Sequence, residues 1–277
     1  MIKISIKFYK ILTIPFKIIR KIKFFFLYKT YKIKTFEKKQ NKIFKRLNLN
    51  RPKGKEKILK IKNEVNFKDR KNQMSSEHEI LFSSLSLRRN IMIKRILEIG
   101  TFDGINSLLL SKIFPNSKID TIDLPSTNLD FKSSYNRKNK VDQFINYRND
   151  NLNGVSSITF IEKNSINLIN QKKKYDLIWI DGAHGYPIVC ADIINSLHLV
   201  NNEGIIMCDD IFENLLPSQS DKIYNSIAAY ETLELLRKEK IINLQLIYKR
   251  LDPKSNCLNN ERKFVAIFQK FKKVFKL

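Results

Sequence analysis

Acidic residues follow three short apolar runs of this chain, each where the run ends. The residues are Asp123, Asp181, Asp209 and Asp210, which follow the runs Ile119–Ile122, Leu177–Ile180 and Ile205–Cys208. Carboxylates that meet at one place repel one another unless a cation lies between them, and oxygen ligands of this kind suit Mg²⁺ or Ca²⁺. The spacing therefore predicts a site for a metal ion or a basic substrate, formed by Asp181, Asp209 and Asp210; alternatively, one of the paired aspartates caps the next helix and only two face the site.

A turn with two glycines precedes these aspartates, in the segment Leu97-Glu98-Ile99-Gly100-Thr101-Phe102-Asp103-Gly104. Glycines four residues apart allow a tight turn and a close approach of the backbone to a ligand. A dinucleotide fingerprint would need glycine at position 98. The Glu98 carboxylate would instead repel a pyrophosphate and accept hydrogen bonds from an amine. Asp123, 23 residues after Gly100, is placed to accept the ribose hydroxyls of a nucleoside.

The apolar runs that would position these residues alternate with segments long enough for helices. The predicted strands are Ile96–Ile99, Ile119–Ile122, Ile158–Ile161, Leu177–Ile180 and Ile205–Cys208, and the predicted helices are Ser76–Arg89, Asn106–Phe114 and Pro187–Val200. Apolar strands that alternate with helices indicate an α/β fold with a parallel sheet covered on both faces. Two further runs, Leu244–Tyr248 and Phe264–Phe268, predict an antiparallel pair at one edge.

The positive charge is concentrated at the N-terminus. The 277 residues are 43% hydrophobic, as in a globular protein, and carry a net charge of +25. Residues 1–72 hold 24 basic and 4 acidic residues, which leaves a net charge of +5 for the rest. We therefore predict a basic amphipathic N-terminal arm and linker over residues 1–72 and a catalytic domain over residues 73–277.

Within this arm, residues 2–35 alternate lysines with apolar residues at helical spacing, and Pro15 should kink the helix. The apolar stretches are too short to cross a bilayer. A helix of this kind suits an anionic membrane surface, although a solvated arm or a helix docked on the same protein is equally compatible with the pattern. Residues 36–72 are interpreted as a linker.

The three cysteines form no Cys-x-x-Cys pair, which favours a reducing, cytoplasmic compartment, with the arm able to place the protein at the inner face of the membrane.

The run LEIGTFDG, the acidic end of the second strand and the alternation of strands and helices resemble the class I S-adenosylmethionine-dependent methyltransferases, over roughly residues 74–270. The resemblance implies a Rossmann-like, mostly parallel seven-stranded sheet that ends in an antiparallel hairpin, with S-adenosylmethionine as cofactor. It further implies that the amino-acid part of the cofactor is bound by Glu98, Gly100, Thr101 and Gly104, the ribose by Asp123, and the adenine near Asn164 and Ser165.

With Asp181, Asp209 and Asp210, the chain resembles one group of these enzymes in particular, the metal-dependent O-methyltransferases. This group includes the catechol and caffeoyl-coenzyme A type and the sugar O-methyltransferases of antibiotic pathways. The catechol type has a lysine three residues after the first metal aspartate, where this chain has His184. A hydroxyl must lose a proton before it attacks a methyl group, and an imidazole can accept it. We predict His184 and Asp181 as catalytic residues; alternatively, His184 only orients a metal ligand or a loop.

The expected reaction is O-methylation of a small molecule or a cell-envelope sugar. An alternative is an RNA methyltransferase whose basic arm binds phosphates. Base N-methylation and cytosine C5 methylation are disfavoured, because Asp181-Gly182-Ala183-His184 replaces the Asn/Asp-Pro-Pro-aromatic motif and no cysteine follows a proline. RNA ribose methylation stays open. A non-catalytic membrane-surface module is a third hypothesis, against which the retained acidic residues argue.

Overall fold

The structure, a computed structural model, describes residues 14–64, 76–88, 92–134, 137, 139–214, 226–253 and 262–271. Within these ranges the strands are β1 (Arg95–Ile99), β2 (Lys118–Asp123), β3 (Ile158–Glu162), β4 (Tyr175–Ile180), β5 (Val200–Phe212), β6 (Ile242–Tyr248) and β7 (Lys263–Lys270). They form one seven-stranded sheet in the order β3-β2-β1-β4-β5-β7-β6. The first five strands pair in parallel, whereas β7 is antiparallel to both β5 and β6. The predicted α/β fold with a C-terminal antiparallel pair is confirmed.

Helices cover both faces of this sheet. They are α1 (Ile14–Thr30), α2 (Ile33–Arg46), α3 (Arg51–Glu64), α4 (Glu77–Ser86), α5 (Ile105–Ile113), α6 (Leu129–Ser133), α7 (Val141–Leu152), α8 (Ile188–Leu199) and α9 (Ala228–Lys238), with a 3₁₀ helix at Ser165–Asn170. Successive strand residues point to opposite faces, so Ile96 packs with the helices before β1, while Leu97 packs with α8 and α9. Each face of the sheet thus has its own hydrophobic core.

The interpretation of residues 36–72 as a linker is wrong for residues 36–64, which belong to α2 and α3. These helices bury Phe44, Ile58 and Ile61 against α4 and the sheet. The Arg51 guanidinium forms two hydrogen bonds of 2.7 Å to the buried Glu77 carboxylate at the start of α4. Most lysines of this segment lie on the outer faces of its helices. Because they are so many, the apolar residues between them form only a weak helical pattern in the sequence. Residues 65–75 lie outside the described residues, so the domain boundary at 72/73 stays a prediction.

The first helix exposes an apolar stripe. The exposed side chains are Ile18, Ile19, Ile22, Phe25 and Phe26. Their spacing of one, four, seven and eight residues places them on one helix face. Pro15 lies next to residues that the structure does not describe, so the predicted kink at Pro15 stays a prediction. Residues 2–13 of the predicted amphipathic segment lie outside the described residues. None of the helices described is long and apolar enough to cross a membrane.

Candidate active site

The glycine turn lies between the end of β1 and the start of α5. Gly100 has a φ of +101°, and a Cβ at this position would lie 2.3 Å from the Asp181 carbonyl oxygen at the end of β4. Gly104, with a φ of +78°, is the residue before α5. Glycine is thus required at position 100 by both backbone conformation and space. The turn brings the end of β1 next to the end of β4.

Glu98 is fully buried beneath this turn. Its carboxylate accepts hydrogen bonds from the Thr121 hydroxyl at 2.6 Å, the Asn106 amide at 2.7 Å, and the Ser107 hydroxyl. Burial raises the pKa of Glu98 to about 7, against the effect of these hydrogen bonds. Glu98 therefore connects β1, β2 and α5, and Oε1, which accepts only the Asn106 amide, has a lone pair left for a further donor. Thr101 is also buried and hydrogen-bonds to Thr121 at 2.7 Å.

Asp123 lies at the end of β2, facing the same turn. Its carboxylate accepts the backbone N–H groups of Phe102 at 2.9 Å and Leu124 at 2.8 Å, which fix its orientation. Burial raises its pKa, while these hydrogen bonds lower it. The partly exposed carboxylate fits the predicted position for ribose hydroxyls, since each oxygen has a further lone pair.

The predicted adenine region, Asn164 and Ser165, begins the 3₁₀ helix that follows β3. The Asn164 side chain accepts the N–H of Ile166 at 3.0 Å and so caps this helix. The Asn195 amide of α8 donates to the Ser165 carbonyl oxygen at 3.3 Å. The segment is held in place beside α8, on the same edge of the sheet as Asp123.

Asp209 and Asp210 lie at an irregularity in β5. The register between β5 and β7 shifts between Cys208 and Ile211, and Asp210 has a φ of +54°. Consecutive strand residues ordinarily point to opposite faces, but a bulge with one residue in the left-handed region redirects a side chain. As a result, both carboxylates reach the same cation.

This cation is the ammonium group of Lys249, which follows β6. Its Nζ lies 2.5 Å from Asp209 Oδ2 and also contacts Asp210 Oδ1. Lys263 Nζ lies 2.7 Å from the other oxygen of Asp210. Burial disfavours the charged form of Lys249, but the two carboxylates outweigh it and hold its pKa above the ordinary value. Neither lysine was predicted as a site residue. Lys249 directly follows the predicted strand Leu244–Tyr248 and Lys263 directly precedes Phe264–Phe268, and these positions in the edge hairpin were the signal in the sequence.

His184 completes the cluster. Its Nε2 lies 3.7 Å from Asp181 Oδ1 and 3.9 Å from Asp210 Oδ2. Burial lowers the pKa of His184, although Asp210 and Asp209 act in the opposite direction. Burial and the Asp209 carboxylate raise the pKa of Asp181, whereas Lys249, His184 and Lys263 overcome burial and lower that of Asp210. The structure thus brings together the predicted residues Asp181, His184, Asp209 and Asp210.

The predicted Mg²⁺ or Ca²⁺ does not fit this arrangement. The Lys249 ammonium already lies against Asp209 Oδ2 and Asp210 Oδ1, so these two oxygens can bind a metal ion together only if Lys249 moves away. Among the residues that the structure describes, no group of three or more His, Cys, Asp or Glu side chains is arranged to hold a metal ion. The cation that three converging carboxylates require is supplied, in this structure, by the chain itself.

The insertion between β2 and β3 contributes two buried arginines next to Asp123. The Arg137 guanidinium lies 4.1 Å from the centre of the Phe144 ring, and that of Arg148 lies 4.1 Å from the centre of the Phe160 ring. They are only 5% and 2% exposed, so neither guanidinium lies on a solvated helix face. Their positive charges lower the pKa of Asp123 and favour its ionised form.

Residues 97–211 match the family model of a methyltransferase domain. This segment contains the glycine turn and all of the predicted site residues. The match and the fold together confirm the resemblance to class I S-adenosylmethionine-dependent methyltransferases.

Two solved structures resemble the chain in fold. Cofactor-bound Rv0187 from MTB is 14% identical, with a TM-score of 0.52 over 73% of this chain and 84% of that one. The O-methyltransferase TomG from Streptomyces achromogenes, which is involved in tomaymycin synthesis and was solved in complex with SAM, is 15% identical, with a TM-score of 0.50 over 83% of this chain and 94% of that one. No curated protein is a significant match to the sequence.

Proposed function

We propose that this protein transfers the methyl group of S-adenosylmethionine to a hydroxyl oxygen of a small molecule or a cell-envelope sugar. The observation that carries the proposal is the position of His184, a buried imidazole 3.7 Å from Asp181 and 3.9 Å from Asp210 at the ends of β4 and β5. The glycine turn and Asp123 lie at the ends of the adjacent strands β1 and β2. In open α/β sheets this edge is where ligands bind.

When bound, S-adenosylmethionine supplies an electrophilic methyl group on a sulfonium. The chain must then orient a hydroxyl and remove its proton. Burial keeps the His184 imidazole in its neutral form near pH 7, so it is able to accept that proton. The imidazolium that results is stabilised by the Asp210 carboxylate, 3.9 Å away, whose pKa is held below its ordinary value. Asp181, which is partly exposed, is the carboxylate nearest to His184 that could also contact the acceptor.

The cofactor would be held by the residues around the turn. The Asp123 carboxylate supports binding of ribose hydroxyls, because its orientation is already fixed by two N–H groups. Asn164 and Ser165, next to α8, are the residues proposed to line the adenine. Gly100 and Gly104 supply backbone space for the amino-acid part. For Glu98 and Thr101, whose polar atoms are hydrogen-bonded within the fold, the proposed contribution is to hold the turn in shape.

We further propose that α1 holds the enzyme at an anionic membrane surface. The support is the exposed apolar stripe of α1, flanked by the exposed lysines Lys21, Lys23 and Lys29. An apolar stripe with flanking positive charge suits the boundary between headgroups and acyl chains. An acceptor in the cell envelope would be presented at the same surface.

The test uses the full chain and S-adenosylmethionine with a tritiated methyl group, offered to a panel of hydroxylated small molecules and sugars, and separately to RNA. The proposal predicts label in a hydroxylated acceptor that survives mild alkali, as a methyl ether does and a methyl ester does not. His184→Gln should reduce the rate by about 10²- to 10⁴-fold. Label transferred only to RNA would replace this proposal with the RNA methyltransferase hypothesis.

A further inference from the structure

At the ends of β5 and β6 the two carboxylates of Asp209 and Asp210 face the two ammonium groups of Lys249 and Lys263, and Asp209 Oδ1 accepts no hydrogen bond from the residues described. Asp209 is 3% exposed and Lys249 is 7% exposed, so neither has much contact with water. A buried carboxylate needs a cationic or hydrogen-bonding partner, because the cost of removing it from water is several kcal/mol. Lys249 satisfies this need for Asp209 and Asp210 at once, and Lys263 adds a second ammonium to Asp210.

The backbone fixes Lys249 in this position. Its N–H donates to the Lys263 carbonyl oxygen at 3.0 Å, and its carbonyl oxygen accepts the N–H of Glu77 at 2.9 Å. The residue is therefore tied to the adjacent strand on one side and to the start of α4 on the other. The contact of Lys249 with the two aspartates is a consequence of the fold and not of a free surface side chain.

We propose that the Lys249 ammonium is the resident cation of this site, and that it positions and neutralises Asp209 and Asp210 in place of a divalent metal ion. Lys249 acts through the carboxylates and is a positioning residue. The inference rests on the proposed function only in treating this cluster as the active site. Its consequence is that Asp209 and Asp210 do not bind a divalent cation in the native protein.

The test measures Mn²⁺ binding to the full-length protein by electron paramagnetic resonance, with no acceptor or cofactor present. The wild-type protein should bind no Mn²⁺ at Asp210, so Asp210→Asn should leave its Mn²⁺ binding unchanged. Lys249→Met, which keeps the length of the side chain but removes its charge, should raise the affinity for Mn²⁺ at least tenfold. In the double variant Lys249→Met with Asp210→Asn this gain should disappear, and Lys249→Arg should restore the behaviour of the wild type.

Lys62→Met is the matched control, because it removes one positive charge from another partly buried ion pair, with Glu79 at 2.6 Å. It should leave Mn²⁺ binding within twofold of the wild type. Stoichiometric Mn²⁺ binding by the wild type that depends on Asp210 would overturn the proposal, as would a folded Lys249→Met variant without increased affinity. If Lys249→Met does not fold, the comparison of Mn²⁺ binding between the wild type and Asp210→Asn still tests the proposal.

Calorimetry with S-adenosylmethionine on the same preparation separates this inference from the proposed function. Absence of cofactor binding would count against the methyltransferase activity and leave the Mn²⁺ result interpretable.

Discussion

Among single residues, Gly100 has the least space for a side chain. Gly100→Ala would put a Cβ 2.3 Å from the Asp181 carbonyl oxygen and hold alanine at a φ of +101°. Left-handed strain costs about 1–2 kcal/mol and overpacking about 1–3 kcal/mol, so we expect a loss of about 2–5 kcal/mol in the free energy of unfolding. Chemical denaturation measures this loss.

Gly154→Ala is the control for backbone strain alone. Gly154 has a φ of +76°, but a Cβ there would have no atom within 4 Å. Gly154→Ala should therefore lose only the left-handed strain of about 1–2 kcal/mol in the free energy of unfolding. Equal losses in the two variants would contradict the claim that the ends of β1 and β4 approach too closely for a side chain.

Asp192, fully buried on α8, makes stability depend on pH. Burial raises its pKa to about 7 in the folded protein, since neither carboxylate oxygen accepts a hydrogen bond from the residues described. The unfolded value is about 4, so the folded state holds a proton that the unfolded state has lost between these pH values. Stability from this group is complete below pH 4 and falls as the pH rises to about 7.

The corresponding prediction is that wild-type stability falls between pH 5 and pH 8 by on the order of 2 kcal/mol more than that of Asp192→Asn. The difference between the two denaturation curves isolates Asp192, because other titrating groups are common to both proteins. Curves that stay parallel over this range would mean that Asp192 is ionised in the fold.

Among the helices, α3 is joined to α4 by the buried pair Arg51 and Glu77, whose side chains are 7% and 9% exposed. Arg51→Ala leaves the Glu77 carboxylate without its bidentate partner, and breaking a buried pair in this way costs about 3–5 kcal/mol. We expect a loss of that size by chemical denaturation. The double variant Arg51→Met with Glu77→Gln should be more stable than Arg51→Ala, since no unpaired charge is left buried.

The exposed pair Lys60 and Glu56, also on α3, is the control. Its side chains are 69% and 65% exposed, and Lys60→Ala should change stability by less than about 0.5 kcal/mol. If Arg51→Ala lowered the free energy of unfolding by as little as Lys60→Ala, the packing of α3 on α4 would not depend on the contact between Arg51 and Glu77.

The ends of the five parallel strands could be predicted from the sequence because each of their apolar runs stops at an acidic residue or a glycine, and parallel strands place such ends on one edge. The Lys249 contacts could not be predicted in the same way. They join residues 39 and 40 positions apart and depend on the bulge at Asp210 and on the pairing of β6 with β7. In α2, only Gln40 and Phe44 are buried, so the pattern among its lysines was too weak to indicate a packed helix.

For the molecule as a whole, the concentration of charge near α1 predicts binding to anionic vesicles. The full chain should sediment with vesicles of equal phosphatidylglycerol and phosphatidylcholine, and much less with phosphatidylcholine alone or at high salt. The double variant Ile22→Glu with Phe26→Glu should weaken this binding by more than tenfold, because it removes apolar contacts and adds negative charge.

Leu129→Glu is the matched variant outside α1, at a leucine that is 80% exposed. It should bind vesicles within about twofold of the wild type. If the α1 double variant bound vesicles as well as the wild type, α1 would not be the part of the chain that binds the membrane.

The central claim is that the edge of the sheet around Asp123 binds S-adenosylmethionine, and calorimetry of the full-length protein tests it most directly. We predict one cofactor per chain, with binding weakened about 10- to 100-fold in Asp123→Asn, which loses a charged hydrogen-bond acceptor, and unchanged in the exposed-site control Asp150→Asn. Folded wild-type protein that binds no S-adenosylmethionine, or binds it equally well after Asp123→Asn, would contradict the claim.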